Sequence, residues 1–315
     1  YTGAEPVFVD VDKDTLGLSP EALERFLADA AGPVPASGSG PAADPAGKSN
    51  AATGVINRHT GRRIAAVLPM HTFGHPARIE AIAEICQRYG LPLVEDAAEA
   101  LGSWVEASPP DLAGKPSAAG GGDTGGTVRR HAGTIGRLGT LSFNGNKIIT
   151  TGGGGMILTD DAELALRAKH LTTTAKRPHP YQFVHDELGY NYRMPNLNAA
   201  LGVAQMARLS EMLAAKREVA RLYAEFFADR PETFITERPG TTANYWLNAI
   251  LVADRAERDA VLEATNAEGI MTRPIWELMT DLPMYRHCQH DGLAVSRWLQ
   301  DRIVNLPSSV PGGWL

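Results

Sequence analysis

The chain has 315 residues, enough for one large domain or two modest ones. Its formal net charge of -6 argues against a nucleic-acid-binding surface, and no apolar run is long enough to span a bilayer. With only two cysteines, Cys86 and Cys288, a disulfide framework is excluded and the chain reads as cytoplasmic.

In chain order, Ser19-Pro20-Glu21 is a helix start: Ser caps, Pro fits the first turn, and Glu favours the positive end. Leu23, Phe26, Leu27 and Ala30 then share one face. Residues 32–53 are rich in Gly, Pro, Ala and Ser and read as a flexible loop. Ile64 to Leu68 is expected to be a short buried strand, and Arg78 to Tyr89 a helix with Ile79, Ile82, Cys86 and Tyr89 facing inward. Leu91 to Val94 is the next strand, and it runs into Glu95-Asp96. Strand, helix and strand in this order imply a parallel sheet with helices packed on it. Residues 107–130 are of low complexity and read as a disordered insertion. Asn196 to Ala228 is a long helical region, broken at most once. Tyr245 to Val252 is a strand, and Asp254-Arg255-Ala256-Glu257 is a capping box for the helix after it. No internal repeat is visible.

Lys147 carries the most chemistry. It lies in LSFNGNKIITTGGGGM, between a short apolar strand and a second strand, with a polar turn before it and a glycine run after it. A lysine between buried strands is costly to desolvate unless it is neutral or covalently used. From its flanks alone it reads rather as a loop lysine at the surface. Asp96 ends an apolar strand, where α/β sheets place ligand-binding groups and where Asp also serves as a simple cap. Gly152 to Gly155 lacks the following Lys-Ser or Lys-Thr of a phosphate-binding P-loop and reads as close backbone packing. His71 and His75 read as loop hydrogen-bonding residues. His287-Cys288-Gln289-His290 has the wrong spacing for zinc, so no metal is expected.

Five stretches, VLPMHTFGHP, LPLVEDAAEALGS, GTLSFNGNKIITTGGGGM, GYNYRMPNLNAALGVAQ and RIVNLPSS, resemble in order the pyridoxal-phosphate-dependent nucleotide-sugar aminotransferases. The resemblance implies an α/β fold of fold type I. Its large domain (residues 1–228) would hold a mainly parallel central sheet with helices on both faces. A smaller C-terminal α/β domain (residues 229–315) would follow. It implies pyridoxal 5'-phosphate as cofactor, held covalently by Lys147. Asp96 would face the pyridine nitrogen, Glu99 would lie near the ring, and the Ser142 hydroxyl would bind the phosphate. Asn191 would reach the phosphate in the neighbouring subunit of a homodimer, and Arg193 would meet a carboxylate or phosphate, or simply a structural carbonyl. Read without the family, Glu99 is a solvated helix-start charge, Ser142 a strand serine and Asn191 a turn residue.

The stretch TGRRIAAVLPMHTFGHP looks most like the subgroup acting on 4-keto-6-deoxy sugar nucleotides in bacterial surface-polysaccharide pathways, with L-glutamate as amino donor. Two other readings stand beside it. One is a related sugar dehydratase, in which a histidine replaces the lysine. The other is a catalytically silent binding or regulatory protein. Family members carry a Ser-Gly-Thr phosphate loop and a ring-stacking aromatic before the segment that opens here. Neither has a match, so the chain is expected to be N-terminally truncated.

Overall fold

A computed structural model of the protein describes residues 2–33, 54–107 and 128–313. The first half contains α1 (Pro20–Ala30), β1 (Ala31–Pro33), β2 (Val55–Asn57), β3 (Arg63–Ile64), α2 (Ile79–Tyr89), β4 (Val94–Asp96), β5 (Trp104–Ala107), β6 (Val128–His131), β7 (Leu138–Ser142) and β8 (Gly155–Leu158). Then come α3 (Ala162–Thr172), α4 (Asn196–Met206), α5 (Leu209–Phe227), β9 (Thr233–Phe234), β10 (Thr241–Thr242) and β11 (Asn248–Leu251). The chain closes with α6 (Arg255–Ala267), β12 (Arg273–Pro274), α7 (Ala294–Gln300) and β13 (Ile303–Leu306).

The sheet that matters for function is β4-β7-β8. β4 and β7 are parallel, with Asp96 opposite Thr140, while β8 returns antiparallel to β7. On the other side of β4, Val67 and Met70 add single parallel bridges to Leu93 and Asp96. The expected strand at Ile64 to Leu68 is therefore split. Arg63–Ile64 pairs with β2, whereas Val67 turns to β4; Val67 is buried and Leu68 is 64% exposed.

Two apolar clusters fix this sheet. Leu23 and Leu27 of α1 and Ile79, Ile82, Ile85 and Cys86 of α2 pack with Val67, Leu93 and Ile135. Each such fully buried aliphatic side chain stabilises the fold by about 1.5–3 kcal/mol. Ala97, Leu141, Phe143 and Ile149 form the second cluster, against Leu209 and Met212 of α5. The Ser19 side chain accepts from the Ala22 N–H and caps α1, and left-handed Gly90 (φ 64°) closes α2. Phe26 and Tyr89 are half-buried beside the first cluster.

The expected loop at 32–53 begins later than the composition implies. Gly32 and Pro33 belong to β1, where the Arg58 side chain lies so close over Gly32 that a Cβ there would meet Nε at 2.8 Å. The rest, 34–53, lies outside the described residues. Likewise Ala107 and residues 128–130 are strand, and only 108–127 lie outside. Cross-strand packing explains this: Trp104 meets the edge of His131 at 5.1 Å, and the Arg129 guanidinium lies 5.5 Å from the Trp104 ring.

The long helical region breaks once, at Ala207-Arg208. The strand expected from Tyr245 starts only at Asn248, because Tyr245 is left-handed (φ 49°). Asp254 accepts from the Glu257 N–H, and the Glu257 carboxylate accepts from Ala253 rather than Asp254, a capping box displaced by one residue. β11 lies in an antiparallel sheet of order β12-β13-β11-β9, while β10 pairs with β5 and so ties that part of the chain to the first half. No helix among the described residues is long and apolar enough to cross a membrane.

Candidate active site

The parallel pair β4 and β7 delivers two polar side chains at neighbouring strand ends. Asp96 terminates β4, with its backbone held on the far side by the Pro69 carbonyl and the His71 N–H. Its Oδ1 accepts from the Ala98 N–H at 3.1 Å, which turns the chain away from the sheet. Ser142 terminates β7, two residues beyond Thr140, the partner of Asp96. Its hydroxyl accepts from the Asn144 N–H at 3.3 Å.

The β7–β8 connection then presents Lys147. The loop is pinned at both ends: Thr151 N–H donates to Phe143 O at 3.0 Å, and Phe143 N–H to Gly154 O at 2.9 Å. Gly154 is left-handed (φ 108°), and a Cβ on Gly155 would lie 2.4 Å from Leu141 O, so the glycines permit close backbone approach. The Trp246 indole N–H donates to Asn146 O at 2.6 Å, next to the lysine. Lys147 Nζ itself sits 3.5 Å from Glu99 Oε1 and 3.8 Å from the centre of the Trp246 ring, with its side chain only 12% exposed. A carboxylate and an aromatic face thus confine one half-buried amine.

Glu99 is fixed from behind, since its Oε2 accepts from the Phe73 N–H at 2.9 Å. Burial pushes its carboxyl up to about 7, against the pull of Lys147 and the Phe73 N–H, with the nearby Asp96 charge adding to the rise. It is not a solvated helix-start charge. Asn244 completes the frame: its amide donates to Glu99 O at 2.7 Å and Leu101 O at 2.9 Å, and its Oδ1 accepts from Trp246 N–H at 2.8 Å. Gly74 must be glycine here, because a Cβ would overlap Asn244 Oδ1.

Glu95, one residue before Asp96, is wholly buried and was not singled out by its sequence context. Its carboxylate accepts from His71 Nε2 at 3.0 Å, from Gly133 N–H at 2.7 Å, from Ile135 N–H at 2.6 Å and from Gly136 N–H. Burial works to raise its pKa, and the His71 bond and backbone donors outweigh it, so the group stays below the usual carboxylate range. The His71 Nδ1 accepts from Ala77 N–H at 3.1 Å, which puts the ring proton on Nε2, facing Glu95. His71 is thus a hydrogen-bonding residue, as its loop context implies. His75 is not: it packs edge-on to Tyr245 at 5.1 Å, its Nδ1 has no partner among the described residues, and burial pulls its pKa down to about 4.

Asn191 stands apart. It bridges Thr173, is exposed, and its Oδ1 accepts from Arg193 at 3.4 Å. No hydrogen bond among the described residues joins it to Lys147, Asp96 or Ser142. Near the His287-Cys288 pair, ligand atoms of Glu5, His287 and Cys288 lie within 4.8 Å of one another, but Glu5 is already paired with Arg62 at 2.5 Å.

Residues 47–311 match the model of the DegT/DnrJ/EryC1/StrS aminotransferase family. The chain belongs to this family. It is 30% identical over 286 residues to "Putative pyridoxal phosphate-dependent aminotransferase EpsN" of Bacillus subtilis (strain 168), covering 90% of this chain and 61% of that protein. It is 32% identical over 259 residues to "GDP-perosamine synthase" of Vibrio cholerae, covering 80% of this chain and 64% of that protein. Among solved structures, a DegT DnrJ EryC1 StrS aminotransferase from Brucella abortus superposes with a TM-score of 0.74 at 26% identity, over 97% of this chain and 69% of that one. The chain thus spans less than two thirds of the length of these two curated relatives. The likeness establishes the α/β fold of fold type I and implies pyridoxal 5'-phosphate for the family. The side chains present fit that cofactor: Asp96 ends β4, the Ser142 hydroxyl ends the adjacent β7, and the loop after β7 presents the Lys147 amine.

Proposed function

We propose that the protein is a pyridoxal-phosphate-dependent aminotransferase that moves an amino group from L-glutamate to the keto carbon of a nucleotide-linked sugar, most closely a 4-keto-6-deoxy sugar. It would act in the cytoplasm, in the making of bacterial surface polysaccharide. The observation that carries this reading is the half-buried Lys147 amine, held between the Glu99 carboxylate and the Trp246 face beyond the ends of β4 and β7. The dehydratase reading would need a histidine at this position. A name such as GDP-perosamine synthase among its relatives supports a nucleotide-linked sugar as acceptor.

In this reading the bound cofactor supplies an electron sink for the donor's α-carbon. Lys147 would hold the cofactor through its amine, and that amine would also move the proton of the substrate's α-carbon. Glu99, with a carboxyl poised near neutrality, shares that proton at Oε1. Asp96 keeps the pyridine nitrogen protonated, and Ser142 binds the phosphate. Asn191 serves a neighbouring copy, so the working unit is a homodimer. The exposed Leu197, Val203 and Met206 of α4 favour such a pairing. A large domain of residues 1–228 and a small one of 229–315 would frame the site.

Pyridoxal phosphate added to the protein should give a yellow species that L-glutamate bleaches. Borohydride should fix pyridoxyl on Lys147, and Lys147→Ala should abolish both effects. Label on another lysine, or colour indifferent to amino donors, would defeat the proposal.

A further inference from the structure

The turn at residues 243–246 brings the Trp246 indole against Lys147, and α5 grips that turn at both ends with adjacent cations. Arg217 donates to Ala243 O at 2.6 Å, and Lys216 Nζ donates to Trp246 O at 2.8 Å. Inside the turn Tyr245 is left-handed (φ 49°), a costly conformation for an aromatic residue. Its ring meets the edge of His75 at 5.1 Å and stacks on Phe234 at 6.4 Å, and its hydroxyl accepts from the Glu237 N–H at 3.2 Å. Strain of this kind persists only where the surroundings enforce it.

The two cations differ. Arg217 has an ordinary partner in the Glu237 carboxylate, with both contacts at 2.8 Å. Lys216 is half-buried, no carboxylate among the described residues shares its site, and burial pulls its pKa down to about 8. Withdrawing an ammonium from water is costly, and carbonyl acceptors offset the cost only in part. Lys216 has two such acceptors, Trp246 O and Ser308 O, the latter beyond β13. The second is itself fixed, because Ser308 Oγ accepts from the Asn248 N–H at 2.7 Å and donates to Leu306 O at 2.9 Å. One side chain of α5 thus joins the turn before β11 to the turn after β13.

With that bond, all three polar atoms of Trp246 are used. Its backbone N–H donates to Asn244 Oδ1 at 2.8 Å, and its indole N–H donates to Asn146 O at 2.6 Å, one residue before Lys147. Together these bonds fix the ring 3.8 Å from the Lys147 amine.

We propose that Lys216 is a positioning residue of the active site: through the Trp246 carbonyl it holds the indole over the Lys147 amine and so sets how readily that amine reacts. The inference rests on the aminotransferase reading above, in which that amine takes the cofactor. An indole face favours the ammonium form, whereas the neutral amine is the form that reacts. Slackening the turn therefore makes Lys147 more reactive, not less.

The test is trace acetylation of the cofactor-free, 315-residue chain with acetic anhydride at neutral pH. Peptide mass spectrometry reads Lys147, with exposed Lys169 of α3 as internal reference. Lys216→Met keeps the apolar stem and removes the donors. It should label Lys147 about two- to fivefold faster than wild type, the change expected when one cation–π contact is released. Trp246→Leu should do the same. The double variant should label no faster than Trp246→Leu alone, because a residue that acts through the indole has nothing left to act on. A purely structural Lys216 would instead multiply the two effects. Circular-dichroism melts check that each variant is folded. If Lys216→Met does not fold, the same cycle is run with Lys216→Gln, which keeps a donor and should give a smaller acceleration of the same sign. Unchanged Lys147 labelling in the Lys216 variant, or rates that multiply in the double variant, overturns the proposal. No cofactor, amino donor or acceptor is present, so failure of the glutamate reaction leaves this result standing, and the two readings fail separately.

Discussion

Replacing Glu95 by glutamine should destabilise the protein by about 2–6 kcal/mol, although the change removes no volume. The native carboxylate is surrounded by donors: Gly133 N–H and His71 Nε2 on Oε2, Ile135 N–H and Gly136 N–H on Oε1. A glutamine amide keeps one accepting oxygen and turns the other position into a donor. Whichever way it flips, two donors face an NH2 group in a site with no access to water. Each orphaned buried donor costs about 1–3 kcal/mol, and two give the stated range. A domain is stable by only about 5–15 kcal/mol, so the effect is large. Urea unfolding followed by circular dichroism at pH 7 measures it. The same contacts predict a pH signature. The folded pKa of Glu95 is depressed, so its contribution is full above the ordinary carboxylate value of 4.5 and is lost as pH falls through the folded value. Glu95→Gln should therefore flatten the acid limb of the stability curve. A loss below about 1 kcal/mol at pH 7, or an unchanged acid limb, would refute the reasoning.

Glu99 gives the opposite pH sign. Its folded pKa is raised from 4.5 to about 7, so the stability it confers is full below 4.5 and disappears as pH rises through about 7; Glu99→Gln should remove that slope in thermal melts between pH 5 and 8. Asp96→Asn should keep the melting temperature yet cut transamination by about two to three powers of ten, read as the rate of colour loss with L-glutamate. Ala107 and Val128 are direct partners in the β5–β6 pair, so a two-residue Asn-Gly turn in place of 108–127 should leave the melting temperature within about 2 °C of the parent.

Local signals in the sequence were readable where the responsible atoms lie close in the chain. Ser19-Pro20-Glu21 caps α1 through a bond three residues away, and the apolar face of α2 follows from its periodicity. The loop that carries Lys147 was legible because a strand, a turn and a glycine run adjoin it. Glu95 was not, because its partners are backbone N–H groups about forty residues on, which no residue type advertises. Trp246 was equally hidden: it meets the lysine loop from a hundred residues away. The strained turns at Phe73, Thr174 and Tyr245 escaped notice since none carries the glycine that normally marks a left-handed residue. Most of β6 and the last residue of β5 fell in a glycine-rich stretch, where cross-strand packing rather than composition makes the strand.

The position of Trp246 makes the protein its own optical gauge. An indole lies 3.8 Å from the lysine nitrogen, and a second indole, Trp276, stacks on it at 6.3 Å. Any chromophore joined to that nitrogen falls within a few ångströms of the pair and drains their ultraviolet emission. The share of the emission that comes from this pair, two of the five tryptophans, then reads the state of one side chain continuously, in a cuvette, with no dye attached.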